Sequence, residues 1–332
     1  MSVSMIPPAT APDFLARNGW GEAEILPLAG DASFRRYFRV VLGGVQAVLM
    51  DAPPPQEDPR PFIRVAKWLV QEGFSAPRIL AAELESGLVL IEDFGGNRMR
   101  EAVDARPSLE RPLYRAVTEL LVDLAAKPAM AVAPYSLAEY QRELGLFIEW
   151  YCPAVDLTPD GASFAAIWSD LLAPVLGAQS NPVTVLRDYH AENIMLIEGR
   201  EGRDRLGLLD FQDALAGHPA YDLASMLQDA RRTVSAETEA EMLAHYATLA
   251  RPSQGFEAAY HVLAVQRNLK ILGIFTRLWK RDGKPRYCAF QPRVWSYVER
   301  SLAHPALAPA KAWIDTHIPA EKRAAAWAGF SE

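Results

Sequence analysis

The chain has 332 residues, of which 50% are hydrophobic and 23% are charged, and its formal net charge is −7. This length and apolar content allow a well-buried core. Nothing in the acidic balance suggests a polyanion-binding surface, so we expect no nucleic-acid partner. Cys152 and Cys288 are the only cysteines, too few for a disulfide framework, as is usual in a reducing compartment.

The N-terminal segment comes first along the chain, and it lacks the basic stretch and apolar core of a signal peptide. No run of about 18 apolar residues follows, so the sequence predicts no membrane span. Together with the cysteine usage, these features favour a cytoplasmic protein. Nothing in the sequence predicts an obligate protein partner.

The first 95 residues predict a small antiparallel sheet with one helix. PDFLARNG (12–19) predicts a short helix that ends at Asn18-Gly19. FRRYFRVVL and VQAVLMDA flank Gly43-Gly44, and RILAAE and LVLIE lie on either side of Ser86-Gly87, which indicates two hairpins. Between them, PFIRVAKWLVQEG (61–73) predicts an amphipathic helix whose apolar face comprises Phe62, Val65, Ala66, Leu69 and Val70.

The remainder of the chain predicts helices from about residue 108, interrupted by the β-like stretches VTVLRDY and RLGLLDF. The fold class is therefore α+β with two lobes. We expect residues 1–95 to form a sheet with one helix, and residues 96–332 to form a helical lobe. The connector begins at Glu92-Asp93, and a cleft between lobes is a usual place for a ligand.

Three polar motifs follow in order in the second lobe. They are Asp188 to Asn193 (D-x-x-x-x-N), Leu209-Asp210-Phe211, and GHPAYDLA at 217–224. Phosphoryl transfer from ATP needs a carboxylate that orients the attacking hydroxyl and oxygen ligands for Mg²⁺. Any one motif alone is weak evidence, because an Asp often follows a strand in a turn, but that explanation does not account for their joint spacing.

With these motifs the chain resembles the aminoglycoside phosphotransferase/choline kinase family, whose fold is bilobal and protein-kinase-like. The resemblance implies ATP and Mg²⁺ as cofactors. It makes residues 1–95 the nucleotide-binding lobe and residues 96–332 the lobe with the catalytic loop and the sugar-binding site. It makes Asp188 the catalytic carboxylate and Asn193 and Asp210 the metal ligands. Asp222 is expected to cap its helix and brace the catalytic loop. His190 is expected to hydrogen-bond backbone and not to be the base.

The phosphate loop is a weaker signal, since a plain hairpin turn would look the same. Small residues there let backbone N–H groups approach phosphates: Gly30, Asp31, Ala32 and Ser33. The family's third-strand lysine is absent, with Met50 near its position, and helix 61–72 offers no obvious glutamate partner for it. We predict that Arg35 or Arg36 replaces that charge, with a solvated strand arginine as the equal alternative. The resemblance makes Leu90-Ile91-Glu92-Asp93 the hinge, whose backbone N–H and C=O groups would bind adenine.

The helix HVLAVQRNLKILGIFTRLWKR predicts a polar stripe of Gln266, Lys270, Gly273 and Arg277 on an otherwise apolar surface. We interpret this stripe as facing a polar substrate cavity, with a solvated helix face as the alternative. Arg187 is a further candidate for an acidic substrate group.

A narrower resemblance rests on GDASFRRYFR, MDAPP and QRNLKILGIFTRL. These segments look like those of bacterial N-acetylmuramate/N-acetylglucosamine anomeric kinases of cell-wall (peptidoglycan) recycling, which implies phosphorylation of a C1 hydroxyl. Alternative acceptors are another small hydroxylated metabolite or an aminoglycoside. A nucleotide-binding pseudokinase is the alternative from another class; Met50 favours it, whereas the intact Asp188, Asn193 and Asp210 oppose it.

Overall fold

The computed structural model describes residues 5–30, 34–178 and 181–330. It confirms the α+β class, with an antiparallel sheet in the N-terminal region and a mostly helical remainder. The principal sheet has the order β1-β2-β3-β5-β4. Its strands are β1 (Glu24–Gly30), β2 (Arg36–Leu42), β3 (Val45–Asp51), β4 (Ile79–Glu83) and β5 (Leu88–Glu92).

The predicted hairpin around Gly43-Gly44 is the pair β2–β3. Both glycines have positive φ, 56° and 85°, which a two-residue hairpin turn requires and which glycine adopts without strain. Strand β1 was not predicted, because Pro27 interrupts its pattern; the register shifts between Pro27 and Ala29.

Helix α1 (Ala11–Arg17) packs on the sheet through a core cluster with alternate strand residues. The cluster comprises Ala11, Phe14, Leu15, Phe38, Val40, Ala47, Leu49, Leu88 and Leu90. Helix α2 (Arg60–Gln71) buries Phe62, Val65, Ala66 and Leu69 as predicted. The prediction was wrong for Val70, which is 38% exposed because it lies at the edge of the apolar face.

The helical remainder also contains short strands. β6 (Val183–Val185) pairs with β9 (Leu215–Gly217), and β7 (Ile194–Leu196) pairs with β8 (Leu206–Leu208). β6 and β8 lie in the predicted β-like stretches, whereas β7 and β9 were not predicted. The helices are α3 (Met99–Ala105), α4 (Glu110–Ala125), α5 (Leu137–Leu146), α6 (Cys152–Ala154), α7 (Gly161–Ala178), α8 (Ala220–Leu227), α9 (Ala236–Ala250), α10 (Phe256–Lys280), α11 (Gln291–Leu302) and α12 (Ala308–His317).

Contacts within the chain divide it into two compact units. Unit 1 runs up to Ala105 and takes in 192–213, whereas unit 2 comprises 106–191 and the chain from Ala214 onward. Segment 192–213 joins unit 1 because its backbone is bonded there: Leu208 N donates to Ser75 O at 2.7 Å. Leu196 N likewise donates to Asn97 O at 2.7 Å. This division differs from the predicted boundary at residue 95, which took no account of the β7–β8 hairpin.

Helix α10 is the central helix of unit 2, and Gly273 lies where it approaches α5 most closely. A Cβ at Gly273 would lie 2.4 Å from the carbonyl carbon of Leu146 and 2.7 Å from the nitrogen of Phe147. At this point α5 passes into a π-helical segment, Phe147–Tyr151. Gly273 therefore serves close helix packing, although the sequence grouped it with polar neighbours.

Among the described residues, one helix, α7, has a length and composition that could span a membrane. Its large side chains Phe164, Trp168, Leu172 and Val175 are buried inside unit 2, and it carries Asp170. These four side chains form its buried face, and 22% of the helix is buried.

Candidate active site

The loop that carries Asp188 follows strand β6 in unit 2, and buried carboxylates hold its backbone. Asp222, 2% exposed, accepts from Leu186 N at 2.6 Å and from Arg187 N at 2.8 Å. Asp229, also buried, accepts from Ala191 N at 3.3 Å. The loop is therefore fixed on both sides of Asp188 by charge-assisted bonds.

Asp222 braces the loop as predicted, but it does not cap its helix. Helix α8 begins after Pro219 without a side-chain cap, and the Asp222 carboxylate points to the loop backbone from the first turn. Burial raises the pKa of Asp222 to about 7, and the bonds from Leu186 and Arg187 oppose that rise.

Arg187, directly before Asp188, has a left-handed backbone with φ 72°. A residue with a Cβ rarely adopts this conformation, which costs roughly 1–3 kcal/mol and persists where surrounding contacts enforce it. The backbone contacts on both sides are present: Asp222 accepts from Arg187 N, and Ser225 donates its hydroxyl to Arg187 O at 3.1 Å.

His190 is buried, and its Nε2 lies 3.2 Å from a guanidinium nitrogen of Arg231. Burial, with the charges of Arg231 and Arg267, lowers the pKa of His190 well below its usual value. The ring is therefore neutral near pH 7 and belongs to the support of the loop. Its predicted hydrogen bond to backbone stays a prediction.

The two predicted metal ligands meet at the end of the β7–β8 hairpin in unit 1. Leu209 N donates to Asn193 O at 3.0 Å, which continues the pairing of the strands. Asn193 Nδ2 lies 3.5 Å from Asp210 Oδ2. Asp210 has φ 58°, a second left-handed residue outside glycine at the candidate site.

Two further groups lie beside the Asp210 carboxylate. Gln212 Nε2 donates to Oδ1 at 2.8 Å, and an Arg35 guanidinium nitrogen lies 3.5 Å from the same oxygen. Gln212 Oε1 is buried and, within the part of the chain that the structure describes, has no hydrogen-bond partner. This amide oxygen is an acceptor to which a water ligand of a cation could donate a hydrogen bond.

The donor set suits Mg²⁺, which prefers oxygen ligands and is usually held by one or two carboxylates with waters and substrate phosphates. Asn193 and Asp210 supply such oxygens. No group of three His, Cys, Asp or Glu in the described ranges could hold an ion by itself. A cation here would therefore depend on phosphate oxygens as well, as in ATP-dependent enzymes.

The two candidate arginines for the phosphates are placed differently. Arg36 is paired with Asp51, its Nε at 2.8 Å and Nη2 at 2.5 Å from Oδ2. Arg35 is 9% exposed and lies near Asp210, with Glu57 Oε2 at 4.0 Å from its Nε. Of the two, the structure brings only Arg35 to a predicted metal ligand. Met50 is fully buried in β3.

The remaining predicted nucleotide-binding residues are only partly accounted for. Gly30 ends β1 opposite Arg36. The predicted phosphate-loop residues Asp31, Ala32 and Ser33 lie outside the described residues. Glu92 N donates to Arg78 O at 2.9 Å, and the Glu92 carboxylate pairs with Arg78 and Arg200. The backbone N–H of Glu92 is thus engaged within the sheet.

A second polar cluster in unit 2 centres on Glu143 of α5, whose side chain is fully buried. Lys270 Nζ lies 2.7 Å from Glu143 Oε1, and Arg187 donates to the same oxygen. Tyr135 donates its hydroxyl to Oε2 at 2.5 Å, and Gln266 Nε2 donates there at 3.0 Å. We call these five residues the Glu143 cluster.

The Glu143 cluster brings together three of the four predicted substrate residues. Burial raises the pKa of Glu143, but Lys270 and Arg187 outweigh it and lower the value to about 2, so the carboxylate is ionised. Gln266 is fully buried. The predicted polar stripe of α10 thus packs along α5 at Gln266 and Lys270, and these two side chains bond to Glu143.

Arg277, the fourth predicted substrate residue, lies further along α10 and outside this cluster. Its Nε is buried, and no described residue hydrogen-bonds to that nitrogen. Burial and the nearby charge of Arg281 lower the pKa of Arg277 from its usual value.

A family model described as "Phosphotransferase enzyme family" matches residues 24–261, most of the chain. The chain belongs to this family. The match includes Asp188, Asn193 and Asp210, and the GHPAYDLA segment. The expectation of a phosphotransferase is thereby confirmed.

Similar proteins place this phosphotransferase more narrowly. It is 38% identical, over 97% of its chain and 100% of the relative, to a Caulobacter vibrioides protein named N-acetylmuramate/N-acetylglucosamine kinase. A Pseudomonas aeruginosa protein of the same name is 39% identical over 88% of each chain. A choline/ethanolamine kinase family protein from Mesorhizobium loti has a similar structure, with a TM-score of 0.61, 14% identity, and 92% and 98% of the two chains covered.

Sequence reasoning missed two acidic residues of this phosphotransferase. Glu57 approaches Arg35 from the proline-rich loop, where no periodic pattern marks it. Glu143 was detectable in principle, because a carboxylate lies between the apolar residues Tyr140, Leu144 and Phe147 on the buried side of α5. A buried acid is expensive unless it is paired, so it predicts a cationic partner.

Proposed function

We propose that this phosphotransferase transfers the γ-phosphoryl group of ATP, with Mg²⁺, to the C1 hydroxyl of N-acetylmuramate and N-acetylglucosamine. The observation that carries the chemistry is the meeting of Asn193 and Asp210 at the hairpin end, 3.5 Å apart. The names of the relatives supply the acceptor sugars. Cell-wall recycling and a cytoplasmic location belong to the same proposal.

In this proposal Asp188 orients the sugar hydroxyl and receives its proton. A hemiacetal hydroxyl is more acidic than an ordinary alcohol, so a weak base is sufficient, and positioning is the main contribution. Asn193 and Asp210 would hold Mg²⁺, which, when bound, neutralises charge on the phosphate oxygens. Arg35 would supply further positive charge, in place of the absent strand lysine.

The phosphate-binding turn at 30–33 and the connector after Glu92 complete the proposed ATP site. Small residues at the turn would let backbone N–H groups contact the phosphates. The N–H group of Glu92 already donates to Arg78 O, so it is not the donor to adenine. In this proposal, backbone groups of the connector after Glu92 bind adenine.

For the acceptor, the surplus positive charge of the Glu143 cluster is the relevant feature. Two cations, Lys270 and Arg187, contact one carboxylate. Lys270 has three donor hydrogens and contacts Glu143 and, at 3.4 Å, the hydroxyl of Tyr221. We propose that Lys270, with Arg277, recognises the lactyl carboxylate of N-acetylmuramate. Gln266 is too buried to reach a ligand and would support Lys270.

The decisive experiment is transfer of phosphate from Mg-ATP to each sugar, with the product located by NMR. We expect the phosphate at C1 of both sugars. Phosphate at C6, or turnover with an aminoglycoside alone, would contradict the proposed acceptor. Nucleotide binding without turnover on a panel of sugars would identify a pseudokinase.

Selectivity tests the carboxylate-reading residues. We expect Lys270→Met to raise KM for N-acetylmuramate more than for N-acetylglucosamine, by about tenfold if one charge-assisted contact is lost. Lys280→Met is the matched control, because Lys280 lies on the same helix but is exposed. Equal changes for both sugars would remove Lys270 from carboxylate recognition.

A further inference from the structure

The Glu143 cluster contains an acidic residue for which the proposed transfer reaction has no direct use. Glu143 is fully buried and ionised, and four side chains donate to it or pair with it. A buried carboxylate is costly unless such partners compensate it, and breaking one buried pair leaves the partner charge uncompensated. The question is what this arrangement holds in place.

We propose that Glu143 is a positioning residue for the Asp188 loop: it anchors the guanidinium of Arg187 and so keeps the backbone before Asp188 in its left-handed conformation. This inference rests on the proposed function, because it matters for catalysis only if Asp188 receives the sugar's proton.

The backbone N–H, the carbonyl oxygen and the guanidinium of Arg187 all form hydrogen bonds. Asp222 accepts from its backbone N–H, and Ser225 donates to its carbonyl oxygen. Its guanidinium bonds to Glu143 and lies 5.5 Å from the ring centre of Tyr135. Glycine would adopt φ 72° without strain, so an arginine at this position indicates that the side chain contributes something glycine cannot.

Both carboxylate oxygens of Glu143 are engaged by side-chain partners. Tyr135 and Gln266 bond to one oxygen of Glu143, while Lys270 and Arg187 contact the other. These partners come from three separate parts of unit 2: the segment before α5, helix α10 and the catalytic loop. The position of Glu143 relative to the loop is therefore fixed by the packing of the unit.

Glu139 provides a natural comparison one helical turn earlier. It lies 3.9 Å from the guanidinium of Arg187 but bonds to Arg142 on the surface of the same helix. Like Glu143, it is a glutamate of α5 that lies near Arg187, but it lacks the buried hydrogen bonds of Glu143. If only a nearby negative charge were needed, either glutamate would suffice.

The test compares Glu143→Gln with Glu139→Gln, using both sugars. We expect Glu143→Gln to lower kcat about 10–100-fold for both sugars, since a displacement of about 1 Å in a reacting group can cost 10²-fold. The KM for ATP should stay within about twofold, and Glu139→Gln should stay within about twofold in kcat. An unchanged kcat in Glu143→Gln, or a KM effect on N-acetylmuramate alone, would overturn the inference.

A double-mutant cycle with Arg187→Gly tests whether Glu143 acts through Arg187. Glycine tolerates the backbone conformation but removes the anchored side chain. We expect Arg187→Gly to lower kcat by a similar factor, and the double variant to be no worse than about twofold below it, because one interaction is removed twice. Multiplicative losses would show independent roles and would overturn the inference.

Melting curves and ATP binding show whether Glu143→Gln is folded. If it is not folded, Arg187→Gly and Tyr135→Phe test the inference instead. Tyr135→Phe removes one hydrogen bond to Glu143. A normal kcat in both variants would overturn the inference. A wild-type protein that phosphorylates neither sugar contradicts the proposed function instead. An active wild type with a normal Glu143→Gln variant contradicts only the role of Glu143.

Discussion

The loop that carries Asp188 and the hairpin end that carries Asp210 fix their carboxylates by different means. In unit 2, the buried Asp222 and Asp229 accept from the loop backbone, so their oxygens are used inside the protein. In unit 1, the Asp210 side chain is 32% exposed and contacts the neutral amides of Asn193 and Gln212, with Arg35 nearby. Buried carboxylates thus act as braces, and the accessible one keeps the capacity to bind a ligand.

The strongest test of this difference is Asp188→Asn. We expect kcat to fall by roughly 10²–10⁴-fold, the usual contribution of a positioned base, while ATP binding changes little. Turnover with each sugar and calorimetric ATP binding would measure the two effects. Near-normal turnover would remove Asp188 from the role of base.

Asp210→Asn should act on the metal instead of on the proton. We expect Mg²⁺-dependent ATP affinity to fall about 100-fold or more, since loss of an outer-shell partner alone often costs 10–100-fold. Titration of ATP binding against Mg²⁺ would show it. If the Mg²⁺ dependence is unchanged, the hairpin end is not the metal site.

The two units should also respond differently to acid, because all six histidines of the sequence fall in unit 2. Burial lowers the pKa of His218 to about 4. Burial, together with His304 and Arg300, also lowers the pKa of His261 to about 4. Between pH 6.5 and 4 the unfolded chain binds protons that the folded chain does not. The free energy of unfolding therefore falls as pH falls through this window.

For His218, which is 6% exposed, the loss between pH 7 and 5 is about 2 kcal/mol. His218 Nδ1 accepts from Ala220 N at 3.2 Å, a role that an asparagine oxygen can retain without titrating. Denaturant unfolding of His218→Asn at both pH values should show a smaller loss than the wild type. An equal loss would assign the acid sensitivity to other groups.

The smallest expected effect separates the two arginines of unit 1. Arg35→Met should raise KM for ATP by about tenfold, equivalent to ~1.4 kcal/mol, because its charge lies beside Asp210. Arg36→Met should change KM for ATP little, because Arg36 forms an ion pair with Asp51. We expect this variant to have a lower free energy of unfolding instead. The reverse result would transfer the phosphate role to Arg36.

The predictions from sequence were most accurate where a pattern was local. The D-x-x-x-x-N spacing, the aspartate after RLGLL and the Gly-Gly hairpin each depend on neighbours within a few positions, so the family and the lobes could be inferred. The short strands β7 and β9 were not predicted, although β6 and β8 lie in predicted stretches. The assignment of 192–213 to unit 1 could not be inferred either, because hydrogen bonds to Ser75 and Asn97 decide it.

The sequence by itself determined the fold class, the phosphotransferase family and the residues Asp188, Asn193 and Asp210 as candidates. Only the tertiary structure decided which charges meet: Arg35 at Asp210, Arg36 at Asp51, and Arg187 with Lys270 at Glu143. The reason is physical. A residue's chemistry is fixed by its side chain, whereas burial and pairing depend on partners that are distant in sequence, and these partners decide whether a charged group braces the fold or remains available to a ligand.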